Sequence, residues 1–253
     1  MTDPLQVLVD GDTRILTLDR PDKLNALDAP TVDRLLAEVA QANAAKARLL
    51  VFRGSGRSFC AGFDLSDLDA QSEGDLVLRF VRIEMLLQAI ASSPARTLAL
   101  AHGKVFGAGV DLVAACRQRV AATDAVFRMP GLKFGLVLGS RRFADIVGTE
   151  RARTLLESVA SFDAAEAASM GFIHQVAERD SWDAIVAKAA SIASILEDTA
   201  RTDLYQALST QQPDADLANL VRSAARAGLK QRLMRYAARK EPGPQKDGPG
   251  SSR

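Results

Sequence analysis

Cysteine and histidine are scarce in this chain, with two of each in 253 residues. Cys60 and Cys116 lie in apolar runs without metal-type spacing, so neither a disulfide framework nor a structural zinc site is expected, and a reducing compartment is the simpler setting. No run of about 18 apolar residues occurs, which excludes an ordinary membrane-spanning helix. The amino-terminal MTDPLQ carries an acidic residue and lacks an apolar signal core, so the expected location is cytoplasmic. An excess of either charge is missing too: 32 basic residues against 31 acidic ones leave a net charge of +1. Such a balance argues against nucleic acid or an anionic membrane as the main partner. What remains is ordinary for a soluble globular chain, at 47% hydrophobic and 25% charged. The length suits one large domain or a domain with a small appendage.

The organising stretch is LAHGKVFGAGVDLVAAC at residues 100–116. Ala99, Leu100 and Ala101 read as the end of a buried strand, and His102 and Gly103 leave it. Gly107, Ala108 and Gly109 then bring the backbone close to a neighbour before an apolar helix. A helix starting on such a turn has unpaired N–H groups beside the positive end of its dipole. Asp111 falls in that first turn. By position alone it is either a carboxylate stabilised by the dipole, worth about 0.3–1 kcal/mol, or a reacting group.

Along the chain, residues 5–9 and 14–18 flank a hairpin turn. Asp28 is placed to cap a helix whose first turn holds Pro30, with Val32, Leu35, Leu36 and Val39 as its apolar stripe. Residues 49–52 read as a buried strand of a mostly parallel sheet, reached by a helical crossover. A loop over 53–58 follows, and residues 66–75 read as a mobile surface segment. Leu76, Phe80, Ile83 and Leu87 mark a second amphipathic helix, closed by Pro94. Short strands are expected over 97–101, 119–122 and 126–129, and helices over 141–147 and 150–156. Asp163 caps a helix over 164–167, and a strand is expected over 172–176. From Trp182 the helices 185–196, 198–209 and 216–238 follow, the last broken near Gly228, and 241–253 reads as a disordered tail. The fold class is α/β over 1–177, with a helical region over 178–240.

Four motifs taken together resemble the crotonase, or enoyl-CoA hydratase/isomerase, superfamily. They are RPDKLNAL at 20–27, FCAGFDL at 59–65, HGKVFGAGVDLVAAC at 102–116 and AAEAASMGFIHQV at 164–176. The resemblance implies a spiral of ββα turns with C-terminal helices that mediate trimerisation, giving a homotrimer or a homohexamer. It implies an acyl-CoA substrate, with coenzyme A as part of that substrate, no prosthetic group and no metal. The implied chemistry stabilises an enolate or tetrahedral oxyanion at the thioester carbonyl. Its two backbone N–H donors fall on Phe63 and Ala108. A backbone donor needs no particular side chain, so alanine serves there as well as glycine, and each donor is worth about 10²–10³ in rate. Positions matching the CoA contacts of relatives are Lys23, Leu24, Ala26, Ala61, Phe63, Asp64, Leu65 and Ala108. Asp64 among them reads as an organiser of its loop.

Relatives that hydrate enoyl-CoA use two glutamates, and the chain departs from both. The first falls on Asp111, whose missing methylene retracts the carboxylate by about 1.3–1.5 Å. Proton transfer works over about 2.6–3.2 Å, so the retraction matters. The second falls on Gly131. A single carboxylate suits double-bond isomerisation better than addition of water. Two alternatives stay open: a non-catalytic acyl-CoA binding subunit, and a CoA-thioester hydrolase or carbon–carbon bond cleaving enzyme. Glu84 and Asp145 are candidates for a second acid, with a solvated or salt-bridged carboxylate as the default for each. His102 and His174 are expected to be structural, the latter on a strand. Cys116 is expected in the core, and Cys60 has no base beside it. Arg141 and Arg142 are expected to pair at the surface, Arg142 matching an arginine common in relatives.

Overall fold

Alternating apolar residues on either side of Asp10–Thr13 build an antiparallel hairpin, β1 (Leu5–Asp10) and β2 (Thr13–Leu18). In this computed structural model the described residues are 3–239, so the tail expected at 241–253 lies outside them. Asp28 accepts from the Thr31 N–H and starts α1 (Ala29–Ala44), with proline in its first turn. That helix carries the chain over to β3 (Leu49–Gly54), parallel to β2. Next come α2 (Glu73–Ala91) and β4 (Arg96–Ala101), parallel to β3, then β5 (Lys104–Phe106) and α3 (Ala108–Ala115). The strands β6 (Gln118–Ala121) and β7 (Val126–Arg128) lead to α4 (Ser140–Val147) and α5 (Thr149–Ser158). Then follow β8 (Ser161–Asp163), α6 (Ala164–Ser169) and β9 (Gln175–Val176). The helices α7 (Trp182–Ala193), α8 (Asp198–Ala207), α9 (Pro213–Ala224) and α10 (Leu229–Ala238) complete the described chain.

The larger sheet has the order β1-β2-β3-β4-β6-β9 and is parallel beyond its hairpin, whereas β5, β7 and β8 form a second sheet. Period-two alternation sorts the side chains of the larger sheet between two cores. Leu49, Val51, Leu98, Leu100 and Val120 face α7, where Trp182, Ile185, Ala189 and Ala193 cover them. Leu50, Phe52, Ala99 and Ala101 face the other way, into the main core with α1, α2, α3 and the second sheet. A third core joins Leu76 and Phe80 of α2 to Leu220, Leu229 and Leu233 of the last two helices, and its edge reaches the loop at Phe63.

Three expectations need correction. Residues 66–75 lie at the surface as expected but are structured: Leu68 is buried in a 3₁₀ turn, and Ser72 and Asp75 form a reciprocal capping box that starts α2. The strand expected over 172–176 is only Gln175–Val176, because Phe172 and Ile173 turn into the core and the Ile173 N–H donates to Ala167 O at the end of α6. His174 therefore precedes the strand instead of lying on it. The three-residue strands β5 and β8 lie outside the expected elements, and β5 separates the end of β4 from the glycine turn.

Candidate active site

The segment 58–64 is held between two neighbours, and this fixes where its amides point. On one side the Cys60 N–H donates to Lys104 O at 3.2 Å and the Phe106 N–H donates to Cys60 O at 2.9 Å. On the other, the Leu27 N–H donates to Gly62 O at 2.7 Å and the Asp64 N–H donates to Leu27 O at 3.0 Å. In a parallel ladder, the groups of Gly62 and Asp64 that face Leu27 leave those of Phe63 turned the opposite way. The Phe63 N–H thus points to the side of β5 and α3. Gly62 sits at φ +85°, and a Cβ there would lie 2.5 Å from Phe106 O and 3.2 Å from Ala108 N. Only glycine lets the two loops come this near.

Ala108 is the first residue of α3, so its N–H has no partner within the helix. Among the described residues, neither the Phe63 N–H nor the Ala108 N–H donates to a protein acceptor. Both residues line one cavity of about 130 Å³, walled mainly by apolar side chains that include Phe80, Met129, Phe134 and Tyr236. Phe63 is itself clamped, its ring stacked on Phe80 at 4.2 Å with the Arg79 guanidinium 3.9 Å from its centroid.

Asp111 lies in the first turn of α3 and lines the same cavity. It is 2% exposed, and its Oδ1 is buried without a hydrogen-bond partner. Burial holds its carboxyl well above the usual carboxylate range; the Arg142 charge opposes this and the Glu84 charge adds to it. The Cα of Gly139, the residue before α4, abuts that carboxyl, where a Cβ would overlap it, and Gly139 adopts φ +64°. The N-terminal field of α4 therefore acts on the acid from one side while desolvation acts from all others.

The loops carrying the expected CoA positions do come together. The Ala61 N–H donates to Leu24 O at 2.9 Å, and Leu24 itself is left-handed at φ 52° after a 3₁₀ turn that ends at Lys23. Ala61, Phe63, Leu65 and Ala108 line the apolar cavity, whereas Lys23, Leu24, Ala26 and Asp64 are not part of its wall. Asp64 accepts from Ser66 N–H at 2.9 Å, from Ser66 Oγ, and from Arg20 Nη1 at 2.9 Å. Burial pushes its carboxyl up, but the Ser66 bonds and Arg20 outweigh that and hold it below its usual value. Sequence reasoning missed Arg20 and Arg79 as clamps. Arg20 Nη1 also donates to Ala26 O at 2.6 Å, and Arg79 Nη2 bridges Leu27 O and Asp64 O.

Of the two second-acid candidates, Asp145 is ion-paired with Arg141 on the outer face of α4 and lies outside the cavity wall. Glu84 is not solvated; it is 1% exposed and paired with Arg142 Nη2 at 3.2 Å. Arg142 is correspondingly not a surface residue, being 3% exposed, and this corrects the expectation for it. Gly131 lies in the cavity wall and offers no side chain. His102 Nε2 lies 3.1 Å from Gly56 O, and His174 Nδ1 accepts from the Arg119 N–H, so both act within the scaffold. Both cysteines are buried free thiols, which burial pushes up to about 12.

Known proteins are similar to this chain in sequence and in fold. A sequence profile described as enoyl-CoA hydratase/isomerase matches residues 13–245. A protein named a probable enoyl-CoA hydratase in Mycobacterium tuberculosis is 35% identical over 185 residues, spanning 70% of this chain and 74% of that protein. The crystal structure of a protein described as an enoyl-CoA hydratase/isomerase from Bordetella parapertussis is 51% identical, with a TM-score of 0.92 over 94% of this chain and 99% of that one. The enoyl-CoA hydratase of Bacillus halodurans has a TM-score of 0.81 over 92% and 99% at 24% identity, a likeness of fold. Together these establish the crotonase fold expected from the four motifs.

Proposed function

The chain belongs to the enoyl-CoA hydratase/isomerase family, and from that premise we propose a double-bond isomerase acting on acyl-CoA, with Phe63 and Ala108 N–H groups holding the thioester oxygen and Asp111 moving the proton. The observation that carries this is the pair of unsatisfied amides, from loops 45 positions apart, facing one apolar cavity beside a buried acid. Two donors aimed at one oxygen are worth most where charge develops, here on the oxygen of a thioester enolate.

The chemistry balances with a single carboxylate. Ionised Asp111 takes a proton from the α-carbon of a β,γ-unsaturated thioester, and the electron pair delocalises onto the oxygen held by Phe63 and Ala108. Returning the same proton at the γ-carbon leaves the α,β-unsaturated thioester. A base with its acidity weakened by burial is nearer the working pH than an ordinary aspartate, which favours the transfer. Addition of water needs a second group to hold and activate the water, and Gly131 supplies none. Coenzyme A enters only as part of the substrate, with the main chain of Lys23, Leu24, Ala26, Ala61, Asp64 and Leu65 along its path.

Assembly as a homotrimer or homohexamer is part of this proposal. Ile195 and Leu208, at the helical end, are 73% and 72% exposed, which supports burial against a neighbouring subunit. The two free thiols support a reducing, cytoplasmic setting.

The test is to incubate the pure protein with α,β- and β,γ-unsaturated acyl-CoA of several chain lengths and to separate the products. Interconversion of the two double-bond positions without a hydroxyacyl product is expected. Release of free CoA thiol would instead indicate a hydrolase or a carbon–carbon bond cleaving enzyme. Binding without any product, unchanged in Asp111→Ala, would indicate a binding subunit and overturn the proposal.

A further inference from the structure

Glu84, Arg142 and Asp111 are a base, a cation and an acid from three different helices, and all three are at least 97% buried. Two of their atoms are left over. Asp111 Oδ1 is a buried acceptor without a donor, and Arg142 Nη1 is a buried donor without an acceptor. They belong to adjoining elements, since Gly139, against the Asp111 carboxyl, is three positions before Arg142 in the chain. The rest of Arg142 is committed: Nη2 to Glu84 at 3.2 Å, with Asp216 at 3.8 Å, and Nε to Gln211 at 3.5 Å. Glu84 in turn accepts from Gln88 at 3.0 Å.

Resting on the isomerase reading above, we infer that the Glu84–Arg142 pair is a positioning device for Asp111, fixing where its carboxyl lies and in which charge state it meets the thioester. Glu84 locks the guanidinium by one edge and leaves the other edge for the acid. The charge count shows why both members are needed. With Asp111 protonated, the buried trio is neutral; with Asp111 ionised, it carries one net negative charge, because Arg142 is its single cation against two carboxylates. The other groups around the trio supply no further cation to Asp111. The Cys60 thiol beside Asp111 stays neutral, held at about 12. Gln88 and Gln211 are uncharged, and Arg141 is shared between Asp145 and Asp216, the latter also 3.8 Å from Arg142. Arg142 pulls the Asp111 carboxyl down more than Glu84 pushes it up. Removing Glu84 alone must therefore make Asp111 a stronger acid, and removing the whole pair must make it a weaker one.

The test follows the protonated Asp111 carboxyl by infrared difference spectroscopy across pH, without substrate, with the band identified by its loss in Asp111→Asn. In Glu84→Gln the titration midpoint moves to lower pH, by about one unit, the scale of a nearby charge on a carboxylate. In the double variant Glu84→Gln, Arg142→Gln it moves to higher pH, and Arg142→Lys restores the downward influence. The acidic limb of the pH–rate profile of kcat moves in the same directions, with KM little changed. A merely structural pair would lower thermal stability and leave the midpoint where it is in every folded variant, which overturns the inference even if the protein isomerises its substrate. Opposite movement of the midpoint in the two variants, in a protein that turns over no enoyl thioester, supports the coupling and sinks the isomerase reading alone.

Discussion

Gly139 and Asp111 meet so closely that a side chain at 139 would occupy the space of the Asp111 carboxyl. The contact joins the loop before α4 to the first turn of α3, and it fixes the acid against the helix end from which Arg142 also comes. Gly139→Ala must displace the carboxyl or the loop, and it also strains a residue at φ +64°. We expect at least a tenfold loss of kcat, as misplacement of a reacting group by about an ångström costs 10²-fold. Steady-state kinetics with an unsaturated acyl-CoA, alongside circular dichroism to confirm the fold, would check it. Unchanged kcat in folded Gly139→Ala would show that the position of Asp111 does not govern turnover.

Burial of Asp111 has a consequence for stability that runs against activity. Its carboxyl is raised in the folded state, so the protonated form favours folding and that stabilisation fades as pH climbs from the unfolded value through the raised one. Asp111→Asn keeps the shape and cannot ionise. The variant should match the native protein in Tm at low pH, exceed it at neutral and higher pH, and be inactive. Thermal melts across pH provide the comparison; a variant less stable than the native protein at every pH would contradict it.

Much of this site was legible as motif and little of it as contact. The hairpin, the Asp28 cap and the helices of the C-terminal half follow from short-range patterns, and each was placed within a few residues. The strands β5 and β8 lie where stronger signals dominate, β5 between Gly103 and the Gly107 turn, and β8 ending on Asp163, the cap of α6. Phe63 and Ala108 could be singled out only through the family resemblance, since nothing local makes their N–H groups special. Glu84 carried an overlooked signal. It falls four positions after Phe80 and three before Leu87, on the apolar stripe of α2, where a charge requires a buried partner. That partner, Arg142, is 58 positions away, a separation that no periodicity spans.

Arg20 ties the first motif to the second by donating to Ala26 O and Asp64 Oδ2 and by pairing with Asp28 at 3.1 Å. Charge-assisted bonds of this kind are each worth about 1.5–3 kcal/mol when partly shielded. Arg20→Ala should therefore lower Tm by several degrees and raise KM for the thioester more than it lowers kcat, because the loops it holds are those proposed to carry coenzyme A. Lysine lacks the forked geometry and should recover only part of the loss. Equal KM in native protein and Arg20→Ala would separate the clamp from substrate binding.

Ala108 offers a way to delete one donor without deleting a side chain. It is the first residue of α3, the position where proline is best tolerated in a helix, since the N–H there has no partner within the helix. The preceding Gly107, at φ 51° and ψ −120°, has no Cβ to clash with a proline ring. Ala108→Pro replaces the amide proton proposed to hold the thioester oxygen by the ring Cδ and leaves Asp111 and the Phe63 amide in place. Loss of one such donor costs about 10²–10³ in kcat. The expected result is that loss in a protein whose Tm stays within a few degrees of the native value, whereas Ala108→Gly, which keeps the N–H, retains most of the activity. If folded Ala108→Pro turns over acyl-CoA as fast as the native protein, the oxygen is held elsewhere and the two-amide site proposed here is wrong.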